Sequence, residues 1–111
     1  MTDKKAIDPD IHFRVLHILG ENPSITQREL SKHLGISLGG VNYCIKELIK
    51  AGQVKIENFK NNPNKSVYLY LLTPQGISQK TLLASDFLKR KMKEYEMLKS
   101  EIKNLKLKLK G

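Results

Sequence analysis

The stretch TQRELSKHLGISLGGVNYCIKELIKAG, Thr26 to Gly52, decides how this chain folds. Thr26 followed three residues later by Glu29 is a capping box, in which each side chain satisfies a backbone amide the helix start leaves open. Leu30 and Leu34 lie four apart and face inward. Gly35 then ends a short helix in the left-handed conformation that glycine tolerates best. Ser37 caps a second helix, expected from about Leu38 to Ala51. Val41, Ile45 and Leu48 form its buried stripe, with Cys44 and Ile49 on the flanks, and Gly52 ends it. Two short capped helices joined by a Gly35-Ile36 turn fit a steep helix-helix crossing.

Outward from this stretch the pattern continues in both directions. On the N-terminal side, Asp8-Pro9 reads as a cap followed by the first helical position. Ile11, Val15, Leu16 and Leu19 recur at helical spacing until Gly20 and Asn22-Pro23 stop the helix. On the C-terminal side the period changes to two. Gln53 to Phe59 alternates, with Val54 and Ile56 on one side and Lys55 and Glu57 on the other. Val67 to Leu72 is a second β-rich run. Between them, Lys60 to Ser66 consists of turn formers and two lysines, so the pair reads as a hairpin with a basic tip. Thr73-Pro74 caps a last helix, expected from about Gln75 to Leu109. At 1.5 Å per residue it would be roughly 50 Å long, too long for so small a domain to cover.

Three helices and a hairpin in this order are a winged helix-turn-helix. The fold class is therefore mainly α with a small β-hairpin and a long C-terminal coiled-coil helix. The expected divisions are an N-terminal tail (1–8), a winged helix-turn-helix domain (9–73) and a dimerisation helix (74–111).

Charge points to the kind of partner. The 111 residues include 20 basic and 11 acidic side chains, a formal charge of +9. An excess of that size in a small chain favours a polyanion, nucleic acid first among them. With Val41, Ile45 and Leu48 inward, the second helix of the pair turns Gly39, Asn42, Tyr43 and Lys46 outward. Asn can contact adenine through two bonds, and Lys can reach guanine or a phosphate. Tyr43 offers a hydroxyl to phosphate and a ring to a thymine methyl. Ser37, Leu38, Gly39 and Gly40 form the start of that helix, where free amides attract anions. Gln27 and Arg28 are placed for the DNA backbone. At the wing tip, Lys60 and Lys65 with Asn61, Asn62 and Asn64 are placed for the adjacent minor groove or phosphates. Gly39-Gly40 has two readings: close approach of backbone to DNA, or a tolerated glycine pair in the first helical turn.

The last helix carries a heptad pattern. With Leu88, Tyr95, Ile102 and Leu109 at a, the d positions are Ala84, Lys91, Leu98 and Leu105, and Lys91 interrupts the seam. The expected dimerisation residues are Leu88, Tyr95, Leu98, Ile102, Leu105 and Leu109. Glu94 and Glu101 fall at g, Lys99 and Lys106 at e. These charges match across a parallel pair and clash across an antiparallel one, so a parallel homodimer is expected. Two other readings stand beside it: the basic end from Lys103 to Lys110 lying on an anionic membrane, or a frayed tail.

No enzyme is expected. His12 and His17 lie five apart and do not share a helical face well, and His33 is isolated from both. One cysteine provides no zinc pattern, and no phosphate-binding glycine loop is present. No cofactor, metal site or membrane span is therefore expected, and any small-molecule effector is unknown. Cys44 reads as a core thiol or, alternatively, a redox-active one. Its being the sole cysteine fits a reducing, cytoplasmic setting.

The segments Gln27-Arg28-Glu29-Leu30, Gly35-Ile36-Ser37-Leu38-Gly39 and Val41-Asn42-Tyr43-Cys44 resemble the MarR family regulators associated with extracellular polysaccharide gene clusters. The resemblance continues through Asn58-Phe59-Lys60-Asn61, Asn64-Lys65, Tyr70-Leu71-Leu72-Thr73-Pro74 and Gly76-Ile77. It reaches into the last helix with Phe87-Leu88, Lys91 and Glu94-Tyr95-Glu96, and spans about Phe13 to Ile102. Gly40 departs from the family pattern, which has lysine there. The resemblance implies a winged helix-turn-helix transcriptional regulator of polysaccharide or cell-envelope genes. It also implies a DNA-facing role for Gln27, Arg28, Ser37, Asn42, Tyr43, Lys46, Lys60 and Lys65. The alternative is a winged-helix protein-protein interaction module that uses its long last helix.

Overall fold

The computed structural model describes residues 7–62 and 65–110, with side chains described outside 59–67. The elements run in the order α1 (Pro9–Glu21), α2 (Gln27–Leu34), α3 (Leu38–Lys50), β1 (Val54–Asn62), β2 (Lys65–Leu72) and α4 (Pro74–Lys110). The chain is thus a winged helix-turn-helix with a two-stranded antiparallel hairpin and a long C-terminal helix.

The helix starts form as their residues dictate. The Asp8 carboxylate accepts from the amides of Asp10 and Ile11 at 2.8 and 3.3 Å. Thr26 and Glu29 form both halves of the capping box, and Ser37 Oγ accepts from the Gly40 amide at 3.0 Å. These bonds satisfy amides that have no partner within the helix. Gly35 sits at φ +67° and Gly52 at +74°, both in the left-handed region. Around these turns Val15, Leu16, Leu19, Ile25, Leu30, Val41, Ile45, Leu48, Val54 and Tyr70 close into one buried cluster. Cys44 is buried beside it, and burial pushes its thiol pKa up. A raised pKa suppresses the thiolate, as befits a packing residue.

The hairpin runs farther than its sequence suggests. Residues Lys60 to Ser66 read as a connecting turn, yet pairing continues from Val54↔Leu72 out to Asn62↔Lys65, with an irregularity between Lys60 and Asn62. Continued pairing satisfies backbone groups that a long loop would leave to water, and the irregularity absorbs the odd residue. At its base the hairpin is tied to the helices, because the Tyr70 amide donates to the Pro23 carbonyl at 2.9 Å. Val54 and Ile56 share a strand face, but only Val54 is buried. Ile56 lies exposed farther along the strand.

The first half of α4 returns along α1 in the opposite direction. Phe87 stacks on Phe13 at 4.5 Å between centroids. Arg90 and Lys91 pair with Asp10 at 2.6 and 3.0 Å, and Leu83 packs against the core. The approach starts at Gly76, where a side-chain Cβ would fall 2.0 Å from the Gln53 carbonyl oxygen. Thr73 secures the corner: its amide donates to that same carbonyl at 3.0 Å and its hydroxyl accepts from the Gly76 amide at 3.1 Å. This docking revises the reading of the heptads. Lys91, the residue that interrupts the expected seam, faces Asp10 of its own chain. Ala84 is half-buried on the same stretch.

Candidate nucleic-acid interface

The candidate interface is built on α3. Its buried stripe of Val41, Cys44, Ile45 and Leu48 faces the core and packs against α2 and β1, so the opposite side is fixed in solvent by the same packing. Gly39, Tyr43 and Lys46 are exposed there, and Asn42 is half-buried at the edge toward α2. Leu38, at the start of the helix, is also exposed.

The two adjacent glycines have different surroundings. A Cβ at Gly39 would meet nothing closer than the Ser37 hydroxyl at 4.0 Å, so packing within the chain does not require glycine there. A Cβ at Gly40 would stand 3.2 Å from that hydroxyl, the one that caps the helix. Glycine at 40 therefore gives the cap room, and glycine at 39 leaves the backbone open to an approaching surface.

α2 adjoins α3 through Gln27 and Asn42. Arg28 is exposed in the first turn of α2, as is Glu29, whose carboxyl is occupied with the cap. The Thr26 amide and hydroxyl bonds hold the Glu29 pKa below its ordinary value. Gln27 is engaged inside the chain rather than held free for a backbone contact. It accepts from the Asn42 side-chain amide at 3.3 Å and donates to the Tyr70 hydroxyl at 3.2 Å. Nothing in the residue spacing of the sequence connects positions 27, 42 and 70. Only their common approach at the junction of α2, α3 and β2 does.

Of the residues expected at the wing tip, Lys60, Asn61 and Asn62 lie in β1 and Lys65 opens β2. Their side chains, and the whole of Asn64, lie outside what is described. The hairpin thus carries the basic segment away from the core at the end of a paired ribbon. Among the described residues no group of three or more His, Cys, Asp or Glu side chains converges as metal ligands would. No described helix is long and apolar enough to cross a membrane.

Residues 8–55 match the model of a family described as winged helix-turn-helix DNA-binding. That span runs from the cap of α1 through α3 to the start of the wing. No curated protein matches the chain in sequence. Among solved structures, the zinc-dependent MarR family transcriptional regulator AdcR in its Zn(II)-bound state superposes with a TM-score of 0.60 at 23% identity. The match covers 90% of this chain and 65% of AdcR, so this chain spans just under two thirds of that protein's length. A protein of Streptococcus mutans UA159 superposes at 0.67 with 18% identity, covering 87% of this chain and 94% of its own. FabT of Streptococcus pneumoniae, solved in complex with DNA, superposes at 0.56 with 19% identity over 89% and 73% of the two chains. At these identities the likeness is one of fold.

Proposed function

We propose that this protein is a dimeric, sequence-specific DNA-binding transcriptional regulator that acts in the cytoplasm. The observation that carries the reading is the division of α3. One side is locked into the core, and the other carries Gly39, Tyr43 and Lys46 into solvent with Asn42 at its edge. In this reading α3 enters the major groove, where Asn42, Tyr43 and Lys46 meet base edges. Ser37, Leu38, Gly39, Gly40 and Arg28 border the phosphates. Lys60, Asn61, Asn62, Asn64 and Lys65 carry the wing along the neighbouring backbone or minor groove. The formal charge of +9 supplies long-range attraction. The match of residues 8–55 to a DNA-binding family, and the fold shared with FabT in its DNA complex, support the same reading.

The distal part of α4 supplies the dimer. Tyr95, Leu98, Ile102, Leu105 and Leu109 are exposed along one stripe, as is Leu88 before them. A second copy laid parallel would cover them and set Glu94 against Lys99 and Glu101 against Lys106. A two-fold pair presents two copies of α3 to a palindromic site. The resemblance in sequence supports targets among polysaccharide or cell-envelope genes.

Selection of bound duplexes from a random pool at near-physiological salt tests the reading. The expected outcome is an enriched palindrome with half-sites about one helical turn apart. On that site Asn42→Ala costs on the order of 1–3 kcal/mol at one base pair. Lys65→Ala weakens all duplexes alike and flattens the salt dependence. Absence of enrichment, with the protein monomeric in sedimentation, would replace this reading by that of an interaction module whose α4 binds a different protein.

A further inference from the structure

Three side chains from three elements form one polar chain behind the exposed face of α3. Asn42 on α3 donates through Nδ2 to Gln27 Oε1 at 3.3 Å, and Gln27 on α2 donates through Nε2 to the Tyr70 hydroxyl at 3.2 Å. Asn42 and Gln27 are half-buried, and Tyr70 on β2 is 8% exposed. Tyr70 is also the most firmly held of the three. Its backbone pairs with Ile56 across the hairpin, and its amide is bound to the Pro23 carbonyl. The far end of the chain is therefore fixed, and the near end is the one residue on α3 best suited to read an adenine.

An asparagine that reads a base must choose which end of its amide faces outward, because one end accepts and the other donates. In this chain the choice is not local. With Asn42 donating inward, its Oδ1 is left for the groove together with a single N–H. If the Tyr70 hydroxyl instead donates to Gln27 Oε1, Gln27 Nε2 turns to Asn42 Oδ1, and Asn42 presents two N–H donors outward. Gln27 passes the polarity along, and whether the Tyr70 hydroxyl accepts from Gln27 or donates to it decides which end of Asn42 faces outward.

We infer that Tyr70 and Gln27 are positioning residues that set the amide orientation, and hence the base preference, of Asn42. This rests on the proposed reading of α3 as the base-contacting helix. Neither residue needs to touch DNA for the effect. The inference also explains why a tyrosine, not a phenylalanine, serves in an otherwise apolar cluster: a buried hydroxyl is tolerated where it has a partner.

The test is a specificity measurement on Tyr70→Phe, which keeps the ring and removes only the hydroxyl. Binding is measured to the selected site and to its single-base variants, with unfolding measured in parallel. The expected result is a loss of discrimination at one base pair of about threefold to tenfold. Affinity for random duplex and the salt slope stay unchanged. Gln27→Met moves the same base pair in the same direction. In the Asn42→Ala background, Tyr70→Phe has no further effect on discrimination, which separates positioning from a general loosening of the fold. In the free protein, the side-chain amide resonances of Asn42 and Gln27 shift in Tyr70→Phe. Wild-type discrimination at every base pair by a folded Tyr70→Phe overturns the inference, as does an effect that persists without Asn42. If the wild-type protein itself prefers no sequence, the reading of α3 fails and this inference falls with it. Shifted amide resonances in that case would show the chain of bonds to be real but without a base to serve.

Discussion

The same residue type meets opposite fates at the two ends of this molecule. In the body formed by α1, α2, α3 and the hairpin base, Leu16, Leu19, Leu30 and Leu48 are each no more than 2% exposed. In the distal part of α4, Leu98, Leu105 and Leu109 are 55%, 60% and 87% exposed. Burying a leucine fully is worth about 1.5–3 kcal/mol, so the body holds itself together through its own contacts, while the end of α4 leaves comparable energy unspent. From residue 92 to 110 the helix extends for roughly 30 Å, beyond the last ion pair with Asp10. The contrast separates what one chain buries by itself from what it leaves exposed.

Paired truncations test that contrast most strongly. Leu48→Ala is expected to destabilise the protein by about 2–5 kcal/mol, since it opens a cavity in the core. Leu105→Ala should change the stability of the isolated chain by no more than about 0.5 kcal/mol, and should weaken self-association instead. Denaturant titrations at low protein concentration, with sedimentation at high concentration, separate the two. Equal losses at low concentration would mean that α4 is covered within a single chain.

A smaller effect is expected at the joint between the two regions. Gly76→Ala places a methyl group against the Gln53 carbonyl and should cost about 1–3 kcal/mol, with α4 displaced from α1. Thermal unfolding reads the loss. An unchanged Tm would show that the joint gives way without cost.

The smallest effect concerns the ion pairs that hold α4 along α1. Asp10→Asn should cost about 1 kcal/mol, as befits a partly exposed site. Its pH dependence has a definite sign. The bond from Lys91, reinforced by Arg90, holds the Asp10 pKa below its ordinary value. The stabilisation is therefore complete above the ordinary carboxylate range and is lost as pH falls through the lower folded value. Wild type and Asp10→Asn should converge in stability at strongly acidic pH. A difference that persists there would assign the effect to packing.

Much of the body was legible in the sequence because its signals are local. A cap needs its acceptor within three residues, so Asp8, Thr26 and Ser37 announced the three helix starts. Gly35 and Gly52 marked the ends for the same reason. The buried stripe of α3 followed from periodicity, and with it the exposed positions 39, 43 and 46, whereas Asn42 is half-buried against Gln27. The wing was legible as a hairpin but not in its extent, because asparagine, lysine and serine also occur in paired strands when the partner strand is present. The DNA-facing set included Gln27 as a backbone contact, whereas the fold binds it to Asn42 and Tyr70.

The sequence by itself determined the order of elements, their caps and the apolar face of each helix, because these depend on neighbours within one or two turns. Tertiary structure decided three things that sequence spacing does not encode. It turned Lys91 toward Asp10, 81 residues away along the chain. It set a requirement for glycine at 76 by bringing the Gln53 carbonyl against it. It joined Gln27, Asn42 and Tyr70 into one chain of hydrogen bonds. Each depends on where two elements cross, and that position is set by the packing of the whole core.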